Sequence, residues 1–177
     1  MIDLELLEEY GATSKKLSAD EIIFHEGTDC YFYHQVISGH VRWVNFTDDG
    51  GEFIQDIMGA GESFGEYPLF DGLPYAASAI ANEDAEIVRL RKDKFLKLLE
   101  ANPQIQMDFL KMYNAQGHSI IYTSHLLEEA QELCDEVAII DNGKLVVHGN
   151  TEELIISHHA NNLEDLFLKI TGTKVRD

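Results

Sequence analysis

The chain has 177 residues, 45% of them hydrophobic and 10% aromatic, enough for one ordinary core or two small ones and too apolar for a disordered tail. Its formal charge of −19 divides into 21 acidic against 9 basic residues up to Gln116 and 11 against 4 beyond it. A phosphate backbone needs a clustered basic face, so both parts predict no nucleic-acid partner.

Cys30 and Cys134 lie far apart without CxxC spacing, so reduced thiols are expected. Met1–Tyr10 is acidic, unlike the basic-then-apolar layout of a signal peptide. No apolar run approaches the ~20 residues of a membrane-spanning helix. The expected location is cytoplasmic.

In chain order, Leu4, Leu7 and Tyr10 recur at helical spacing and predict a short first helix. From Glu21 to Leu90 short β-rich runs follow: Ile22–Phe24, Tyr31–Ile37, Val41–Phe46, Phe53–Met58, Tyr75–Ala81 and Glu86–Leu90. Glycine turns at regular spacing between them predict an all-β sandwich or barrel, and Asp49-Gly50 is a hairpin signal. Helical periodicity returns at Lys92–Leu99, Asn102-Pro103 breaks it, and the proline starts a further helix up to Gln116.

After Gly117 the pattern becomes α/β. Ser119–Thr123 reads as a buried strand, Ser124 as a cap for a helix Leu126–Cys134, and Val137–Ile140 as a second strand turning through Asp141-Asn142-Gly143 into Lys144–His148. A helix capped at Asn150 or Thr151 completes a βαββα segment, and a last helix covers Leu163–Ile170.

Four motifs of the first part form a set: Phe24-x-x-Gly27, Tyr33-x-x-x-x-Ser38-Gly39-x-Val41, Gly61-x-x-Phe64-Gly65-Glu66 and Pro74-x-Ala76-Ala77. Together they resemble the cyclic-nucleotide-binding domain, in particular the sensory half of the catabolite-activator and fumarate-nitrate family of bacterial regulators. The resemblance covers residues 1–116. It implies a ligand pocket at Gly65, Glu66, Tyr75, Ala76 and Ala77 for cyclic AMP or cyclic GMP. A cyclic phosphate needs backbone N–H groups aimed at it, and Gly65 lets the backbone approach, with Ala76 and Ala77 beside it. The resemblance assigns Glu66 to the ribose hydroxyl.

The same pattern asks for an arginine nine residues after that glutamate, and position 75 is tyrosine. A guanidinium makes charge-assisted, bidentate bonds to phosphate, which a phenol does not. Gly61 and Gly65 also serve simply as roll turns, and Glu66 as a cap for a following short helix.

In the second part, Ile120-Ile121-Tyr122-Thr123-Ser124-His125, Glu128-Glu129-Ala130, Leu133-Cys134-Asp135, Val137-Ala138-Ile139-Ile140-Asp141 and Gly143-Lys144 are similar to the C-terminal stretch of ATP-binding-cassette transporter ATPases. The resemblance implies that His125 is the remnant of a γ-phosphate sensor. The GxxxxGK[ST] loop, the signature motif and the Asp-Glu pair that holds magnesium are absent from the sequence, and a histidine alone does not hydrolyse ATP.

His25, His34 and His40 share no metal-ligand spacing and read as structural, and no Ser–His or Cys–His pair has a visible third partner. No catalytic and no metal site is expected. Trp43 reads as core and as an optical reporter of ligand.

The expected fold is α+β: a cyclic-nucleotide-binding β-roll with flanking helices, residues 1–116, followed by a small α/β (βαββα) segment, residues 117–177. The expected function is non-enzymatic nucleotide sensing or regulatory binding. Two alternatives stand beside it: an engineered or rearranged chimera with a structural role only, and a homodimer or a partner subunit docking on a complete transporter ATPase through an exposed strand edge.

Overall fold

The computed structural model describes residues 2–47, 50–115, 117 and 119–172. Asp48 and Asp49 of the expected hairpin turn, and Gln116 at the expected boundary, lie outside the described residues. The chain forms two compact units, Met1–Ile105 and Gln106–Asp177, whereas the change of sequence pattern falls after Gln116.

The first unit opens with α1, Leu4–Glu9, capped by Asp3, whose carboxylate accepts from the Glu5 and Leu6 amides. The strands β1 (Thr13–Leu17), β2 (Ile22–Phe24), β3 (Phe32–Ser38), β4 (Val41–Phe46), β5 (Glu52–Met58) and β6 (Ser63–Phe64) follow. A single turn α2 (Pro68–Asp71), then β7 (Ser78–Ala81) and β8 (Ala85–Arg91), complete the β region. The strands make two antiparallel sheets, ordered β1-β8-β3-β6 and β2-β7-β4-β5.

The first sheet contributes Leu17, Val36, Phe64 and Ile87 to the core, and the second contributes Val41, Met58, Ala79 and Ala81. Alternation of apolar residues at period two aims these side chains inward. Position 39 favours glycine: its φ is +75°, and a Cβ there would lie 2.7 Å from the Asp84 carbonyl oxygen.

Outside the roll, α3 (Lys92–Ala101) buries Phe95, Leu98 and Leu99 and packs against β3 and β8, with Phe95 stacked on Tyr33 at 4.6 Å between ring centroids. Arg42 on β4 is 9% exposed; it donates to the Ala81 carbonyl and pairs with Asp20 and Glu52.

Two strands escaped the sequence reading. β1 carries one buried apolar residue, Leu17, in Thr-Ser-Lys-Lys-Leu, and β6 is two residues long. Neither presents enough alternation to be seen locally.

The helix α4 (Pro103–Ala115) starts at the proline and crosses the limit between the units. The second unit continues with α5 (Leu127–Leu133), β9 (Glu136–Asp141), β10 (Lys144–Asn150), α6 (Thr151–Ser157) and α7 (Leu163–Thr171). Ile139 of the β9–β10 hairpin packs with Leu163 and Leu166 of α7 to form its core.

The expected strand Ser119–Thr123 does not form, so the βαββα segment lacks its first strand, leaving α5, β9, β10 and α6, with the last helix α7 after them. Residues 119–124 are irregular, and Ile121 is 98% exposed. A buried parallel strand needs ladder partners at its sides, and among the described residues β9 and β10 pair only with each other. Ser124 does not cap α5 through its first turn. Its Oγ accepts from the Leu126 amide, 2.9 Å away, and the helix starts one residue later.

Candidate functional site

Gly65 follows β6 with φ at +66°, where glycine has no side-chain penalty. A Cβ at this position would lie 2.7 Å from Phe24 Cζ and 3.0 Å from Tyr75 Cε1. Two rings therefore rest on the glycine backbone. Phe24 and Tyr75 stack face to face, with centroids 3.6 Å apart and planes inclined by 6°.

The backbone fixes Tyr75 in this place. Its N–H donates to the Thr28 carbonyl at 3.0 Å, and its own carbonyl accepts from the Gly27 amide at 2.8 Å. Strand β7 begins only at Ser78, so Tyr75–Ala77 is irregular where the sequence predicted strand. Tyr75 is 3% exposed. Its hydroxyl meets the buried Cys30 sulfur, and burial raises the pKa of both groups. Trp43 stands edge-on to Phe24 at 5.7 Å, so the indole contacts the stack.

Glu66 is 4% exposed. Burial drives its pKa upward, against hydrogen bonds from its own amide and from Ser63, and its Oε2 has no hydrogen-bond partner among the described residues. Ser63 also bonds Tyr33, whose hydroxyl donates to Gln35 Oε1 at 2.7 Å. Gln35 in turn donates to the Ile2 carbonyl at 3.0 Å. The acid thus ends a buried polar chain that ties the roll to the N-terminal segment. It caps no helix with its side chain; its carbonyl accepts from the Leu69 amide of α2.

Ala77 is fully buried, and Ala76 is exposed with its carbonyl held by Asn45 Nδ2 at 2.9 Å. Gly65 and Tyr75 are in direct contact, and Glu66, Ala76 and Ala77 adjoin them in the chain. His125 belongs to the second unit, where it is exposed in the bend before α5 and has no hydrogen-bond partner among the described residues. Phe24, stacked on Tyr75 and lying against Gly65, is the residue that the sequence reading left outside the pocket. It stood in the motif with Gly27, but its partner lies far along the chain.

Two antiparallel sheets forming a β-roll carry the Gly65-Glu66 turn directly after β6. A family model, the cyclic nucleotide-binding domain, matches residues 14–102, and the chain belongs to that family. Over 93 residues it is 36% identical to the cAMP-activated global transcriptional regulator CRP of Haemophilus influenzae, covering 52% of this chain and 42% of that protein. The sensor domain of the transcriptional regulator DNR from Pseudomonas aeruginosa shares the fold, with a TM-score of 0.57 and 24% identity over 68% of this chain and 82% of that one.

A 46-residue stretch is 46% identical to the Nod factor export ATP-binding protein I of Ralstonia nicotianae, 26% of this chain and 14% of that protein. The chain spans less than half the length of these two relatives. The charge-based expectation of no nucleic-acid partner does not fit a relative named as a transcriptional regulator. No helix among the described residues is long and apolar enough to cross a membrane.

Proposed function

We propose that this chain is a non-enzymatic, cytoplasmic regulatory protein whose β-roll, residues 1–116, is the receiver, and that it does not take cyclic AMP or cyclic GMP in the family's usual mode. One observation carries this reading: Tyr75 stands where the family pattern asks for arginine, and its ring is stacked on Phe24 over Gly65. The stack fills the space in front of the glycine, and no guanidinium there meets a phosphate. Burial raises the pKa of Glu66, and one of its oxygens is without a hydrogen-bond partner among the described residues, which weakens it as the charged acceptor a ribose hydroxyl would meet.

Residues 117–177 are, in this reading, a cassette-ATPase-derived element with His125 as a remnant and an interaction role. The absence of a phosphate loop and of a magnesium-binding Asp-Glu pair from the sequence supports a lack of hydrolysis. The test is calorimetry with cyclic AMP, cyclic GMP and magnesium ATP, together with a phosphate-release assay. Submicromolar binding of a cyclic nucleotide that Glu66→Ala abolishes would overturn the first statement, and ATP turnover would overturn the second.

The irregular Ser119–Thr123 segment favours a second reading, a rearranged chimera whose second part has only a structural role. The exposed Ile121 is a strand residue without its sheet. Deleting residues 117–177 separates the readings. A receiver with an interaction element loses self-association or a partner ATPase, and a chimera loses neither.

A further inference from the structure

We infer that the β-roll holds a second ligand site, offset from the family position, which takes a small carboxylate with an aromatic body against Arg89. The inference rests on the preceding reading in one respect, that Tyr75 stays stacked on Phe24 and forms one wall.

A cavity of about 140 Å³ is lined by Phe24, Tyr75, Phe32, His34, Lys15 and Arg89. It falls well below the ~300 Å³ at which pockets begin to hold drug-sized ligands, so a nucleotide is too large for it. Strand register assembles its polar side. Arg89 on β8 lies opposite both Thr13 on β1 and His34 on β3, and Lys15 lies two residues along β1, opposite Ile87.

The charges are unequal in availability. Lys15 Nζ is paired with Glu21 Oε1 at 2.8 Å, and the Asp29 carboxylate at the same cavity accepts from the Tyr31 hydroxyl at 3.0 Å. The Arg89 guanidinium sits 5.2 Å from the Phe32 ring centroid and has neither an ion pair nor a hydrogen bond among the described residues. In a chain with 32 acidic against 13 basic side chains, an arginine left without a carboxylate is an open anion position.

His34 supplies the second observation. It is 5% exposed, lines the cavity, and its Nδ1 has no hydrogen-bond partner among the described residues. Burial, with Arg89 and Lys15 nearby, lowers its pKa to about 3, so the ring is neutral and adds no charge. One free guanidinium and one neutral imidazole, with the Asp29 carboxylate lining the same cavity, suit one anionic group and no more, and a planar fork pairs with a carboxylate in two parallel bonds. A phosphate dianion asks for more donors than these. The aromatic walls favour a flat apolar body.

The experiment is calorimetric titration of the full chain at low salt with benzoate, its neutral analogue benzamide, and inorganic phosphate. Saturable benzoate binding is expected, with benzamide weaker by about tenfold or more, as for loss of one charged contact. Arg89→Gln is expected to lose benzoate by a similar factor and Arg89→Lys to recover part of it. Arg89 is exposed at the mouth, so these variants keep the core, which circular dichroism checks. Equal binding of benzoate and benzamide, undiminished binding by Arg89→Gln, tighter phosphate than benzoate, or no benzoate binding at millimolar concentration each overturns the inference. Cyclic AMP is titrated in parallel: Glu66-dependent binding there defeats the preceding proposal, whereas a negative benzoate result without it defeats only this site.

Discussion

Tyr75 and Phe24 lie ring on ring at 3.6 Å, directly above the glycine that the family pattern reserves for a phosphate. An arginine in the same backbone position would carry its charge to the pocket, where the phenol carries apolar surface to the core. One substitution thus changes what the receiver presents to a ligand.

Tyr75→Arg is expected to raise affinity for cyclic AMP on the order of 100-fold, the effect of one desolvated charge-assisted contact. Calorimetry measures the gain. Trp43, edge-on to Phe24, is expected to change its emission when the stack is lost.

Gly65→Ala is expected to destabilise the first unit by about 1–3 kcal/mol, from left-handed backbone and from the contacts with Phe24 and Tyr75. Thermal unfolding followed by Trp43 emission reads both the loss and the displaced rings. An unchanged midpoint would show that the rings do not rest on the glycine.

The buried His34 sets an acid limb of stability. Its folded pKa, about 3, is below the ordinary value of 6.5, so the unfolded chain binds more protons between these values. Its contribution is full above about pH 6.5 and is lost as pH falls towards 3. Glu66 has the opposite sign: its raised pKa stabilises at acid pH, an effect lost as pH rises through the folded value. Denaturant midpoints of His34→Leu across this window are expected to fall less steeply on acidification than those of the wild type, and Glu66→Gln to lose the opposing limb.

Arg42→Met is expected to cost about 1–2 kcal/mol, because it removes the bond to the Ala81 carbonyl and leaves Asp20 and Glu52 unpaired. Asp20 is exposed, so solvent screens that arm and keeps the loss small. Urea unfolding at low and high salt measures the two parts.

Ile121→Lys is expected to leave stability within ~0.5 kcal/mol, as for any exposed site outside the core. A loss of several kcal/mol would mean that Ser119–Thr123 is a buried strand after all.

The sequence by itself determined the alternation of strands, the glycine turns, the helix restarted at Pro103 and the Gly65-Glu66 turn, because each is written in neighbouring residues. Most of the roll was legible for that reason. It also fixed Tyr75 in place of arginine, but not what the tyrosine does. Tertiary structure alone brought Tyr75 onto Phe24, ended the Glu66 hydrogen-bond chain at Ile2, and set Arg89 beside His34 through the register of β3 and β8. It also left Ser119–Thr123 without the ladder its apolar residues call for. Local pattern states what a segment is able to form; which side chains meet, and whether a strand finds a neighbour, depends on residues far along the chain.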